Sequence, residues 1–198
     1  MRKPAELRKA EIVRTVLALA DRIGPDRVTT GAAAAAVGVT QAALFRHFPT
    51  KAALWLAVAD HVTEELTAAW ERALAEANDP VGRLRALVAA QLGQIAAKPA
   101  LPMLLFSREL NVGNDELRAA CRGLLMKFQA LIVAEVTRGQ DAGGLRRDVA
   151  ASDAAVLLTS LVQGMAIRCS LGARDFSLVE EGGRLLEVQL RLLAVKGE

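Results

Sequence analysis

A glutamine and an arginine stand five positions apart in the run QAALFRH, residues 41–47. Glutamine and arginine side chains can each form paired hydrogen bonds with the edges of DNA bases, and an alanine methyl group fits against a thymine methyl. A helix over this run buries Leu44 and presents an outward face with base-reading chemistry. That face comprises Gln41, Ala42, Phe45 and Arg46, with Ala43 and His47 at its margins.

The residues before this run can position such a helix. A short alanine-rich helix with apolar Ala33, Ala34 and Val37 comes first, and Gly38 follows it. Glycine takes a positive φ at no steric cost, and Thr40 can accept a hydrogen bond from the exposed amides of the next helix. Two short helices joined by a tight glycine turn form the unit that sets a helix into the DNA major groove.

The run VTQAALFRHFPTKAAL, residues 39–54, resembles the helix-turn-helix signature of the TetR family of bacterial transcription regulators. The resemblance implies a DNA-binding domain at residues 1–51 and a helical ligand-binding and dimerisation domain at residues 52–198. It also implies that Gln41, Ala42, Ala43 and Arg46 face bases, and that Thr30, Thr40, Phe45, His47 and Lys51 lie near phosphates. Phe45 stands where a tyrosine is usual, and Gly31 stands where a polar residue often occurs.

Charge is distributed unevenly along the 198 residues. Residues 1–51 carry nine Lys/Arg against four Asp/Glu, whereas residues 52–198 carry sixteen against eighteen. The N-terminal part is therefore the part that we expect to contact a polyanion such as double-stranded DNA. Lys51 lies in the first turn of a helix capped by Thr50, where its charge opposes the helix dipole, and a nearby phosphate would offset that effect.

Several functional classes find no support in the sequence. There is no Gly-rich phosphate loop, no GxSxG and no HExxH, and only two histidines are available for acid-base chemistry, so we expect no enzyme, no catalytic residues and no cofactor. Cys121 and Cys169 lack the spacing of a metal site and are interpreted as small buried hydrophobic residues, with a redox-sensing thiol as the alternative. No apolar run approaches the ~20 residues of a membrane span, and we expect a cytoplasmic protein.

The pattern of apolar residues, prolines and glycines predicts an all-α fold of about nine helices. The first three form the helix-turn-helix module, and Ile12, Val16, Leu19 and Ile23 form the apolar stripe of the first helix. The fourth helix begins at Thr50 and has Leu54, Val58, Val62, Leu66 and Trp70 on its apolar side. The later helices are predicted at about 80–97, 101–110, 115–140, 152–171 and 177–195.

The helix predicted at 152–171 is apolar on nearly every side. A helix of this kind must be covered on both faces, and a second copy of the chain is the simplest cover. The TetR resemblance implies a homodimer through a four-helix interface built from the last two helices of each subunit. Small residues Ser160, Gly164 and Ala166 would permit close approach, and an internal core helix is the alternative.

A ligand pocket is predicted among the fourth to seventh helices. Ligand cavities combine apolar walls with a few polar groups, and ordinary helical cores have the same character. The candidate ligand-binding residues are Trp55, Trp70, Gln91, Gln94, Met103, Phe106 and Phe128. Similarity to TetR proteins with LPxLLFSxEL in this region implies a lipophilic small-molecule inducer and control of an efflux operon.

The sequence thus predicts a ligand-responsive transcription regulator. In this hypothesis it is a repressor that binds a palindromic operator as a dimer and is released by its inducer. The alternative is a constitutive DNA-binding protein or a dimeric helical adaptor that has no small-molecule ligand. An enclosed cavity bounded by the fourth to seventh helices would favour the first hypothesis.

Overall fold

The computed structural model describes residues 4–107, 110, 112–171 and 176–195, apart from the side chain of Phe106. Within these residues the fold is all-α, as predicted, and no strand occurs. The nine helices that lie wholly within the described residues are α1 (Ala5–Ile23), α2 (Thr30–Val37), α3 (Gln41–His47), α4 (Lys51–Glu76), α5 (Pro80–Ala97), α6 (Ala100–Phe106), α7 (Asp115–Asp141), α8 (Ala151–Ser170) and α9 (Leu178–Leu193). None of them is long and apolar enough to cross a membrane.

Most helix ends follow from local signals. Asp79 accepts a hydrogen bond from the Gly82 amide at the start of α5, and Asn114 accepts one from the Leu117 amide at the start of α7. Such side chains satisfy amides that lack a partner within the helix. The helix predicted at 101–110 is not continuous, because α6 ends at Phe106 and Ser107 is not helical, and residues 108 and 109 lie outside the described residues.

The residues group into two compact units, Met1–Glu64 with Lys98–Arg122, and Glu65–Ala97 with Gly123–Glu198. We refer to them as unit 1 and unit 2. Helices α4 and α7 supply residues to both. The domain boundary predicted after residue 51 stays a prediction.

The core of unit 1 is built on α1, which packs against α2. Ile12 and Val16 are fully buried and Leu19 nearly so, as the apolar stripe predicted. Ile23 is the exception, with 37% of its surface exposed. It is the last residue of α1, and Gly24 then turns the chain with a φ of 85°, so no further turn of the helix covers its side chain.

Two carboxylates fix both ends of α6 within unit 1. Asp21 of α1 accepts a hydrogen bond from the Ala100 amide at 2.8 Å, at the start of α6. At the other end, the Ser107 hydroxyl donates to Asp26 at 2.5 Å and accepts from the Leu110 amide at 3.1 Å. A helix of seven residues has little stability of its own, so these contacts hold it in place.

In unit 2, α9 packs closely against α5 and also contacts α8. Gly182 of α9 meets Leu92 of α5, and a Cβ atom at Gly182 would lie 2.5 Å from the Leu92 Cδ1 atom. A side chain at this position would collide with a residue that is itself fully buried. Glycine therefore permits the close approach of these two helices.

A buried carboxylate links three helices of unit 2. Glu135 of α7 is only 1% exposed and forms ion pairs with Arg138 and with Arg83 of α5, whose Nε atom lies 3.0 Å from its Oε2 atom. Arg83 also donates to the Leu74 carbonyl in the last turn of α4 at 2.5 Å. Because an unpaired buried carboxylate is costly, these ion pairs offset the burial of Glu135.

Candidate nucleic-acid interface

Three threonines fix the starts of the helices around the predicted reading face. Thr40 accepts a hydrogen bond from the Ala43 amide at 3.1 Å, and Thr50 accepts one from the Ala53 amide at 3.0 Å, as predicted. Thr29 does the same for the Ala32 amide at the start of α2. No role was predicted for Thr29, although a threonine directly before a helix is typical of a cap.

The glycine turn has the predicted geometry. Gly38 is left-handed, with a φ of 74° and a ψ of 36°. The Gly38 amide donates a hydrogen bond to the Ala35 carbonyl at 3.1 Å, and the Val39 amide donates one to the Ala34 carbonyl at 3.0 Å. These two bonds close the end of α2. This closed turn sets the direction in which α3 begins.

Packing determines which side of α3 faces outward. Helices α2 and α3 contact each other, and Ala33, Ala34 and Leu44 are buried, as is Phe48 directly after α3. The outward residues follow the predicted order: Gln41, Ala42, Phe45 and Arg46 are exposed, and Ala43 and His47 are half-buried. The exposed face thus offers an amide, a guanidinium and small or aromatic groups in one row.

A hydrogen bond across the turn ties this face to α2. The Gln41 Nε2 atom donates to the Thr30 Oγ1 atom at 2.7 Å. The two residues are eleven positions apart and meet only because α2 and α3 pack together, so no local pattern of residues could predict this contact. Thr30 and Gln41 were predicted to lie near phosphates and bases respectively, and those roles stay predictions.

Two cations accompany the exposed face. Arg46 is exposed on α3, and Lys51 is half-buried in the first turn of α4. Within the described part of the chain, neither forms an ion pair with a carboxylate. Both charges are therefore available to an external anion, and a duplex presents one on every phosphate.

Three of the predicted ligand-binding residues meet inside unit 2. Trp70 of α4 donates its indole N–H to the Gln91 side-chain oxygen at 2.8 Å, and its ring lies 5.1 Å from that of Phe128. All three are buried. The Gln91 amide oxygen accepts the hydrogen bond from the Trp70 indole. Trp70, Phe128 and Gln91 therefore form an aromatic cluster with one internal hydrogen bond.

The other predicted ligand-binding residues are more scattered. Gln94 is half-buried in unit 2. In unit 1, Trp55 is 2% exposed, and its buried indole nitrogen has no acceptor among the described residues, whereas Met103 is 38% exposed. The side chain of Phe106 lies outside the described residues. All seven ligand assignments stay predictions.

The two cysteines are free thiols and half-buried. Burial raises the pKa of the Cys121 thiol above its ordinary value, which lowers the fraction of reactive thiolate.

Comparison with known families decides the class of the protein. Residues 12–58, which include the capped turn and α3, match the model of bacterial regulatory proteins of the tetR family. Residues 80–192 match the C-terminal model of BetI-type transcriptional repressors. The chain belongs to the TetR family. TetR regulators are a non-enzymatic class of DNA-binding transcription regulators, as the sequence predicted.

Individual TetR-family relatives are distant. The chain is 32% identical to the nucleoid occlusion factor SlmA of Escherichia coli (strain K12 / DH10B) over 124 residues, which span 62% of this chain and 63% of that protein. Among solved structures, a transcriptional regulator from Saccharomonospora viridis in complex with choline has a TM-score of 0.82 at 23% identity, covering 98% of this chain and all of that one. Thermus thermophilus FadR in complex with lauroyl-CoA has a TM-score of 0.67 at 25% identity, over 96% and 97%.

Proposed function

We propose that this TetR-family protein is a dimeric repressor. In this proposal one α3 helix of each subunit occupies a half-site of a palindromic operator, and a small lipophilic molecule releases the protein from the DNA. The observation that carries the proposal is the row of exposed α3 side chains, which includes Arg46, with Lys51 beside it at the start of α4. Neither cation forms an ion pair with a carboxylate among the described residues. Base-edge donors specify a sequence, and cations beside them position the protein on the phosphates.

The distribution of apolar residues on α8 supports a dimer. One face of α8 is buried within its own unit and carries Leu158, Val162 and Met165. Ala166 also lies on this buried face, so the expectation that it lines the interface was wrong. The opposite face exposes Leu157 and Ile167, at 55% and 43%, with Gly164 open between them.

The exposed face of α8 has the spacing of a helix-pairing seam. Leu157, Ser160, Gly164, Ile167 and Leu171 follow one another at intervals of three and four residues. This alternation keeps one side of a helix against a partner helix. Helix α9 adds exposed Val188 and Leu192, at 37% and 68%. We infer that α8 and α9 of two subunits form a four-helix interface.

Buried aromatic residues support a small-molecule ligand. Trp70, Gln91 and Phe128 form an apolar wall with an amide inside unit 2. In unit 1, taken by itself, the buried indole N–H of Trp55 would gain an acceptor from a bound molecule. Thermus thermophilus FadR is in complex with lauroyl-CoA, a thioester with a long apolar chain, which supports a lipophilic ligand. Control of an efflux operon is the regulatory role that we propose for such a ligand.

The experiment is a mobility-shift assay with the DNA that flanks the gene for this protein. Retarded fragments are footprinted, and lauroyl-CoA is added as the first lipophilic probe, followed by a panel of hydrophobic cations and acids. We expect protection of two half-sites related by two-fold symmetry about one helical turn apart. Protection of a single half-site, or of DNA without sequence preference, would contradict the dimeric repressor.

A second candidate function is favoured by the match to nucleoid occlusion factors. In it, the protein binds DNA constitutively, without a small-molecule ligand, and acts through another macromolecule. A chromosome-wide map of bound DNA, together with the same panel of compounds in the mobility-shift assay, separates the two candidates. Binding sites dispersed over the chromosome, with no effect of any tested compound on affinity, would favour the constitutive DNA-binding protein.

A further inference from the structure

The hydrogen bond between Gln41 and Thr30 restricts what Gln41 can offer to a base. A glutamine amide has two N–H donors and one carbonyl acceptor. One N–H is committed to the Thr30 hydroxyl at 2.7 Å. One N–H and the Oε1 atom therefore remain for an external partner.

These remaining groups complement one purine and not the other. In the major groove adenine presents the N7 acceptor and the N6 amino donor, whereas guanine presents two acceptors, N7 and O6. One N–H with one carbonyl matches both groups of adenine. At guanine, the single N–H satisfies one acceptor, and the carbonyl of Gln41 faces the other acceptor without a proton between them.

We propose that Thr30 is a positioning residue that makes Gln41 select adenine over guanine. The proposal rests on the proposed function, in which α3 reads the major groove. Without Thr30 the second N–H would be free, the amide could rotate, and both N–H groups could be presented to the two acceptors of guanine.

Thr30 is held firmly enough to act in this way. It is the first residue of α2, directly after the Thr29 cap. Since α2 and α3 pack against each other, and each has a fully buried residue, Ala33 and Leu44, the separation of Thr30 and Gln41 is fixed by the fold. The Thr30 hydroxyl accepts from Gln41 and keeps its own proton, which it can donate to a phosphate oxygen, so that base and phosphate contacts polarise each other.

The test begins with the selection of binding sites from a library of randomised duplexes, using the intact protein and Gln41→Ala. The base pair whose preference is lost in Gln41→Ala is the pair that Gln41 contacts. Affinities are then measured for two duplexes that carry A·T or G·C at that pair. The variants are Thr30→Val, which keeps the shape of the side chain but has no hydroxyl, and Thr30→Ser, which keeps the hydroxyl, each also combined with Gln41→Ala.

We expect the unaltered protein to prefer A·T about 5- to 150-fold, the range typical of a good base contact. Thr30→Val should lower this ratio to about twofold, and Thr30→Ser should retain it. In the Gln41→Ala background, Thr30→Val should leave the ratio unchanged. A loss of stability or of a phosphate contact would weaken binding to both duplexes alike and would not alter the ratio, and thermal melting curves monitor the fold.

The proposal is overturned if Thr30→Val keeps the preference for A·T while Gln41→Ala loses it. It is also overturned if Gln41→Ala changes no base preference, because Gln41 is then not a reader of bases. Failure of the proposed function has a different signature: the unaltered protein enriches no sequence from the library at all.

Discussion

Arg46 and Lys51 carry the same charge but stand in different chemical settings. Arg46 belongs to the exposed row of α3, and its planar guanidinium can pair with both acceptors of a guanine. Lys51 lies in the first turn of α4, and its ammonium group interacts with an anion as a point charge without geometric preference. We therefore expect Arg46 to determine which DNA sequence is bound and Lys51 to raise the affinity for any DNA sequence.

Substitution of these two residues should give distinct losses. We expect Arg46→Ala to reduce discrimination between the preferred and scrambled duplexes by ~1 to 3 kcal/mol. Lys51→Ala should weaken binding to both duplexes alike and reduce the dependence of log K on log salt by about 1. Binding titrations by fluorescence anisotropy at several salt concentrations measure both quantities. Arg72→Ala, at an exposed position of α4 in unit 2, serves as the control and should change neither. Equal losses on both duplexes for Arg46→Ala would remove Arg46 from base reading.

Close helix packing in unit 2 depends on single glycines. Gly182 faces the buried Leu92 side chain, whereas a Cβ atom at Gly93, the next residue of α5, would meet no atom within 4 Å. The two glycines therefore respond in opposite ways to the addition of one methyl group.

We expect Gly182→Ala to destabilise the protein by ~1 to 3 kcal/mol, the usual cost of forcing extra volume into a packed core. Gly93→Ala should instead stabilise it by up to ~1 kcal/mol, because alanine favours a helix over glycine and has open space there. Urea unfolding followed by circular dichroism gives both free energies of unfolding. A Gly182→Ala variant with the same free energy of unfolding as the parent would contradict this prediction, because the Leu92 side chain would then move aside at no measurable loss of stability.

Local elements were predictable from the sequence to the extent that their causes are local. The caps Thr40 and Thr50, the left-handed Gly38 and the outward face of α3 depend on residues within a few positions of one another. The family signature likewise lies in one continuous run, which is why the class of protein was predicted correctly.

Contacts between distant residues could not be predicted in the same way. The Thr30–Gln41 bond and the link from Asp21 to Ala100 depend on how helices cross in three dimensions. Ala166 was assigned to the wrong face of α8. When a helix is apolar on every side, its sequence does not show which face packs against its own chain. A ligand site is also hard to predict from the sequence, because aromatic residues such as Trp70 and Phe128 occur both in packed cores and in ligand pockets.

At the scale of the whole molecule, dimerisation should be a condition of operator binding. Gly164 lies exposed in the middle of the seam on α8, with no atom within 4 Å of an added Cβ. Gly164→Glu would place two like charges near a symmetry axis and desolvate them, at a cost of several kcal/mol. We expect monomers in sedimentation or light scattering and a large loss of operator affinity. Gly123→Glu, at an equally open and exposed glycine of α7, is the matched control and should remain dimeric. Dimers of Gly164→Glu would place the interface elsewhere.

Release by a ligand requires that the ligand bind two conformations of the protein with different affinity. If it prefers a conformation in which the two α3 helices do not match successive major grooves, that difference must appear as lost DNA affinity. Helix α4 is the element through which we expect this coupling, because it carries Lys51 at its start and Trp70 in its last turns.

The expected coupling is ~1 to 3 kcal/mol, which corresponds to a roughly 5- to 150-fold loss of operator affinity on addition of a bound compound. The same compound should raise the melting temperature, since it binds the folded protein only. Anisotropy titrations of the operator duplex and thermal melts, each with and without lauroyl-CoA and the wider panel, measure the two effects. Trp55→Phe removes the indole N–H that has no acceptor among the described residues but retains an aromatic ring, and it should weaken the effect of the compound while preserving DNA binding in its absence. A compound that raises the melting temperature without altering operator affinity would leave the protein a constitutive DNA binder.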